Sequence, residues 1–253
     1  MSSRLPERKQ DHRKQDLRAS GGRRRAAGRR PAVATVAGSS AWLEDDRLFT
    51  PLAYEPGYDY PLLVWLPGQA EEEPAKRFDL ARTMTRVSLR NFVAIQPVPA
   101  ADDPATLGWD DLVFRSIDRV RERLSIHRRR VFLVGRGSGG TEAFRIACRH
   151  PDAFAGVVSI GGPFPLDEGL FARIAEVRRL PMLLCCRQGG ADDVRAAHVD
   201  RTLRLFHAAG ASLAMRIYPG RNDLARGVLA DVNRWVMDEV CGSPANVHSL
   251  SAS

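Results

Sequence analysis

The sequence predicts an α/β fold in which a mostly parallel central sheet carries helices on both faces. Three observations lead there. Apolar, β-branched runs of strand length recur along the body of the chain, segments with helical spacing of apolar residues alternate with them, and the bulk composition is that of one globular domain. The chain has 253 residues, 44% of them hydrophobic and 27% charged, within the range of a single α/β domain. No run of 18 apolar residues exists to span a membrane. The N-terminus has no apolar core of a secretory signal, and a cytoplasmic location is expected.

Each element can be justified in order. The runs at 60–67, 91–98, 130–135, 154–162, 181–186 and 212–219 are almost continuously apolar, as strands covered on both faces must be. The stretch 47–54 is read as an added edge strand. Between them Val113, Ile117, Val120 and Leu124 follow a helical period, as do Leu170, Ile174 and Val177. Val199, Leu203 and Phe206 repeat it, and so do Val228, Val232 and Trp235. Each set lays one apolar stripe along one helix face. Strand and helix in alternation give parallel strands joined by crossovers. Ligands of such sheets sit at the carboxyl ends of the strands, which directs attention to the loops that follow them.

Charge is distributed unevenly. Residues 1–31 hold eleven Arg or Lys against three Asp or Glu, which accounts for the whole net charge of +8. Residues 1–40 are basic and nearly free of large apolar side chains, so they are expected to be disordered. The folded body is placed at 41–242 and a flexible C-terminus at 243–253. The tail offers nucleic acid or an anionic membrane a purely electrostatic contact. It contains no aromatic residue to stack on bases. The cysteines Cys148, Cys185, Cys186 and Cys241 lack metal-type spacing and read as free thiols, with Cys185 and Cys186 on opposite faces of a strand. No metal and no cofactor is expected.

The stretch "VFLVGRGSGG" (131–140) is a strand that runs into a glycine-rich turn and then a helix. Such a turn, in the form G-x-S-x-G, presents a nucleophilic serine on a sharp bend. Here Gly135 and Gly139 are the flanking glycines, Gly137 is the centre and Ser138 falls one position late. Centring the pattern on Ser138 instead puts Arg136 where the tight turn wants a small residue.

Together with "YPLLVWLPG", "SLRNFVAIQP", "HPDAFAGVVSIGG" and "YPGRNDLARGVLADVNRWVMDEV", this stretch resembles the phospholipase/carboxylesterase group of α/β hydrolases, which includes dienelactone-hydrolase-like esterases. The resemblance covers about residues 45–240. It implies a nucleophile–acid–histidine order along the chain. Placed on that order, the nucleophile slot is Gly137, the acid slot falls near Gly190 with Asp192 and Asp193 behind it, and the histidine slot is Arg221, Asn222 and Asp223. The oxyanion loop reads Pro67, Gly68, Gln69.

None of the histidines (His12, His127, His150, His198, His207, His248) lies in the last loop. Two readings of the cleft therefore stand: a non-catalytic or weakly active homologue whose cleft binds a small-molecule or acyl ligand through Gln69, Gly137, Ser138, Asp192, Asn222 and Asp223, and an ester hydrolase that uses Ser138 with Asp192 and His198. Ser138 is either the first residue of the helix or a displaced nucleophile, turned about 100° around the helix axis. Whether residues 161–180 form a lid is left open. A third reading makes the chain a nucleic-acid or anionic-membrane binder through its tail.

Overall fold

The computed structural model describes residues 47–68, 78–99, 103, 107–166, 168–187, 193–219 and 224–242. The basic tail, the C-terminus, Gln69, Asp192, Asn222 and Asp223 lie outside the described residues. Seven strands form one sheet: β1 (Arg47–Phe49), β2 (Tyr60–Leu66), β3 (Val93–Gln96), β4 (Ile126–Arg136), β5 (Gly156–Ile160), β6 (Met182–Arg187) and β7 (Leu213–Tyr218). Their spatial order is β1-β3-β2-β4-β5-β6-β7. All neighbouring pairs are parallel except β1 with β3. The helices are α1 (Leu80–Val87), α2 (Trp109–Arg121), α3 (Ser138–Arg149), α4 (Ile174–Val177), α5 (Asp193–Ala209) and α6 (Arg226–Cys241).

The alternation of side chains along each strand divides the core into two layers. On β2, Leu62, Val64 and Leu66 enter one layer, with Val113, Ile117 and Val120 of α2, Phe144 of α3 and Phe206 of α5. Leu63 and Trp65 enter the other, with Leu80, Met84 and Val87 of α1 and Val228, Val232 and Trp235 of α6. Every residue of β2, β3 and β5 is buried, which is why those runs show no polar alternation. Cys185 and Cys186 do lie in opposite layers.

Four sequence expectations are corrected. The edge strand stops at Phe49; Pro51, two residues on, has no N–H to continue a ladder. The stripe on α5 is out of phase, because Leu203 is 43% exposed while Thr202 is fully buried. Thr202 tolerates burial because its hydroxyl donates to the His198 carbonyl at 2.8 Å. The 170–177 stripe is not one helix. A 3₁₀ turn, Leu170–Arg173, bends at Phe171 before α4 begins. Finally, α1 was not anticipated, although Asp79 caps it by accepting from Arg82 N at 2.8 Å and Leu80, Met84 and Val87 are spaced for one buried face.

Candidate functional site

The carboxyl end of β4 turns directly into a helix. Arg136 ends the strand, Gly137 takes φ 53° and ψ −125°, and α3 starts at Ser138. That conformation lies in a region where glycine is at ease and a side chain is strained. The Gly137 amide donates to Ile160 O at 2.9 Å, and the Gly137 carbonyl accepts from Gly140 N at 3.0 Å and from Thr141 N at 3.3 Å. So the bend is fixed on one side by β5 and on the other by the first turn of α3.

The surrounding glycines are there for a different reason. A Cβ on Gly135 would fall on the Gly139 carbonyl, one on Gly139 on the carbonyls of Leu66 and Pro67, one on Gly140 on Ser159 Oγ, and one on Gly162 on the Gly137 carbonyl. These are close backbone approaches with no space for a methyl group. Gly137 is the exception: among the described residues, a Cβ built there meets nothing within 4 Å.

Ser138 is exposed and is the first residue of α3. Its Oγ lies near the end of β2, 3.8 Å from where a Cβ on Gly68 would be. His198, in the first half of α5, directs Nε2 at the Phe164 carbonyl, 2.9 Å away. A carbonyl only accepts, so that nitrogen carries the proton and is not free to take one from a hydroxyl. His127 Nδ1 accepts from Arg129 N at 3.2 Å. His150 lies against Asp110 Oδ2 at 3.0 Å. His127 opens β4 and His150 follows the C-terminus of α3, both at the opposite end of the sheet from the elbow.

The segment after β5 is a fixed wall beside the elbow. Thr141 Oγ1 donates to Pro163 O at 2.9 Å, and buried Ser159 donates to Gly162 O at 2.7 Å. Phe164 is fully buried with ring centroids 5.1 Å from Phe144, 4.9 Å from Phe206 and 5.8 Å from Phe171. Arg145 of α3 grips Glu168 through Nε and Nη2, both at 2.6 Å, and also donates to Glu142 at 2.8 Å. Those carboxylates raise the Arg145 pKa, and the guanidinium holds the Glu168 carboxyl below its ordinary range.

Ser159, Thr141 and Gly162, which fix this wall, carry no motif of their own in the sequence. The "SIGG" after β5 was their only trace. A second polar cluster was missed at the far side of the sheet. The Tyr218 hydroxyl donates to Asp231 Oδ2 at 3.0 Å, with Cys185 Sγ 4.0 Å from the same hydroxyl. Burial pushes the Cys185 thiol up to about 12 and raises Tyr218 as well. Both stay protonated at neutral pH, so this cluster supplies no nucleophile.

Neither a protein-family model nor a curated sequence matches the chain. Solved structures do. A ferulic acid esterase aligns with a TM-score of 0.55 at 15% identity, over 76% of this chain and 91% of its own. FphF, a fluorophosphonate-binding serine hydrolase of Staphylococcus aureus, aligns with a TM-score of 0.54 at 16% identity, over 74% and 86%. The ferulic acid esterase AmCE1/Fae1A of Anaeromyces mucronatus aligns with a TM-score of 0.51 at 14% identity, over 75% and 82%. At such identities the likeness is one of fold, and that fold is the α/β-hydrolase fold of esterases, as the sequence resemblance implied.

Proposed function

We propose that this chain is an α/β-hydrolase-fold protein whose cleft binds a small-molecule or acyl ligand without serine-esterase turnover. One observation carries the reading: the residue at the apex of the elbow is Gly137, with the bend and open space of a nucleophile site and no side chain to attack with. Attack on an ester needs a hydroxyl at that apex and a base within hydrogen-bond reach of it. The loop after β7, where the hydrolase order puts the histidine, reads Gly220-Arg221-Asn222-Asp223. An elbow without nucleophile and base retains at most the assistance of binding and backbone dipoles, roughly 10³–10⁴ over water in serine proteases.

The competing reading is an ester hydrolase that acts through Ser138, with Asp192 and His198. What favours it is that Ser138 Oγ does face the end of β2, next to Gly68. Against it stands the engagement of His198 Nε2 with Phe164 O. Short-chain nitrophenyl esters separate the two. The binding reading predicts background hydrolysis that is equal in wild type and Ser138→Ala. Turnover that disappears in Ser138→Ala establishes the hydrolase.

A further inference from the structure

At the other end of the sheet, β2 and β4 fall out of step. Tyr60 pairs with Ile126 and Leu62 with Val131, so the four residues 127–130 stand opposite Pro61 alone. Proline has no N–H to give the ladder, and the surplus of β4 is pushed out as a wide bulge. Bulges of this kind are built features that re-aim side chains. This one displays His127, Arg128, Arg129 and Arg130. Arg128 and Arg129 are exposed and Arg130 is half-buried. Among the described residues none of the three arginines is in an ion pair, whereas Arg115, Arg145, Arg149 and Arg173 all are. Arg121, which pairs with Asp118 at 3.8 Å, braces the bulge by donating to the Arg128 carbonyl at 3.1 Å. Over residues 121–130 five arginines face one acid, Glu122.

A tyrosine loop is fastened to the root of the bulge. Ser125 N donates to the Tyr54 hydroxyl at 2.7 Å, Ser125 Oγ donates to Pro56 O, and Tyr60 N donates to Ser125 O at 3.0 Å. Tyr60 is buried between Tyr54 and Tyr58, and Tyr58 stands over it edge-on at 4.7 Å with half its surface exposed. The exposed ring thus packs on Tyr60, whose strand partner Ile126 leads directly into the bulge and its three arginines.

We infer that this arginine bulge, with Tyr58 beside it, is a docking surface for single-stranded nucleic acid. Guanidinium forks match phosphate oxygens. An exposed aromatic face gains from an unpaired base and has nothing to stack on in a closed duplex. The surface belongs to the folded body and is independent of both the N-terminal tail and the reading of the cleft. Leu52 and Leu89 are also exposed at this end, so an anionic membrane is the occupant the experiment must separate.

The test is fluorescence anisotropy of a labelled single strand of about 20 nucleotides, a length of several site sizes, titrated with the full-length chain. The background replaces Arg23, Arg24, Arg25, Arg29 and Arg30 by Gln, so that the tail does not mask the body. Replacing Arg128, Arg129 and Arg130 together by Ser should weaken binding at least about tenfold and flatten its salt dependence. Replacement of the three by Lys should keep most of the salt dependence, which distinguishes lost charge from lost fold. Tyr58→Ala should cost about fivefold or more on the single strand and nothing on a duplex. Unchanged single-strand binding by the Ser variant, with an unchanged thermal melt, overturns the inference. So does a bulge-dependent affinity for phosphatidylserine vesicles without one for the oligonucleotide.

Discussion

Glycines of two kinds meet at the elbow, and substitution tells them apart. Gly135→Ala drives a methyl group into the Gly139 carbonyl; neither backbone segment can yield, so the loss of stability should reach the upper end of overpacking costs, about 3 kcal/mol. Gly137→Ala meets no atom within 4 Å and is opposed only by its φ of 53°. It should cost about 1–2 kcal/mol, the usual strain of a side chain at positive φ. Chemical denaturation of the two variants checks the contrast. Equal losses would mean that the apex is crowded.

The cysteines provide a second check at this scale. Burial raises the Cys148 and Cys185 thiols from 9.0 to about 12. A raised folded pKa means that the unfolded chain releases these protons first. Their contribution is whole below pH 9 and is lost as pH climbs from there toward 12. Unfolding free energy should fall over that window, and a Cys148→Ala/Cys185→Ala variant should fall less. A thiol reagent at neutral pH should label exposed Cys241 promptly and reach Cys148 and Cys185 only on unfolding.

The elements were more legible than the site they build. Six apolar runs became six strands: β2, β3 and β5 are buried throughout, which leaves a continuous hydrophobic signature, whereas β7, last in the sheet order, has no buried residue and leaves Ile217 63% exposed. The polar exceptions were harder. Thr202 is buried through a bond to its own helix and Leu203 is left outside, which no hydropathy period reveals. Helix α1 is only eight residues long, too short for its pattern to stand out. β4 begins four residues earlier than its apolar run, because its first residues are the basic bulge. The segment after β5 gave no sign that it is a wall. Its hold on α3 comes from Phe164 and from Glu168, which meets Arg145 across 23 residues of sequence.

That wall has a measurable division of labour. Phe164→Ala empties a fully buried aromatic position and should cost about 3–5 kcal/mol. Glu168→Gln breaks a pair whose side chains are 33% and 40% exposed, so solvent screening limits the loss to about 1 kcal/mol or less. Because Arg145 lowers the Glu168 pKa, that contribution is present above the ordinary carboxyl range and disappears as pH falls through it. Denaturant midpoints of the two variants at pH 7 should rank them in this order. A larger loss from Glu168→Gln would make the ion pair, not the aromatic cluster, the main tie.

At the scale of the molecule, the chain has the sheet and the strand order of the α/β-hydrolase fold, with glycine at the bend that follows β4. The sheet order, the strand–turn–helix at β4 and the glycines that let β2, β4 and α3 approach are all in place. The placement of Gly137 at the bend, one residue before Ser138, was readable from "GRGSGG" once the strand end was fixed at Arg136. The loops that would hold an acid and a histidine in the hydrolase order contribute Asp192, Asn222 and Asp223 by sequence alone. Their residue types are legible, and their placement lies outside the described residues. The opposite end of the sheet, with its bulge of arginines, was hidden in the sequence by the neutral charge of the body as a whole.

The central claim is most directly tested by a serine-directed fluorophosphonate probe, followed by peptide mass analysis of the labelled chain. The expected result is an unmodified "GRGSGG" peptide, because the elbow apex is glycine and His198 Nε2 is held by the Phe164 carbonyl. A stoichiometric phosphonyl adduct on Ser138 would contradict it.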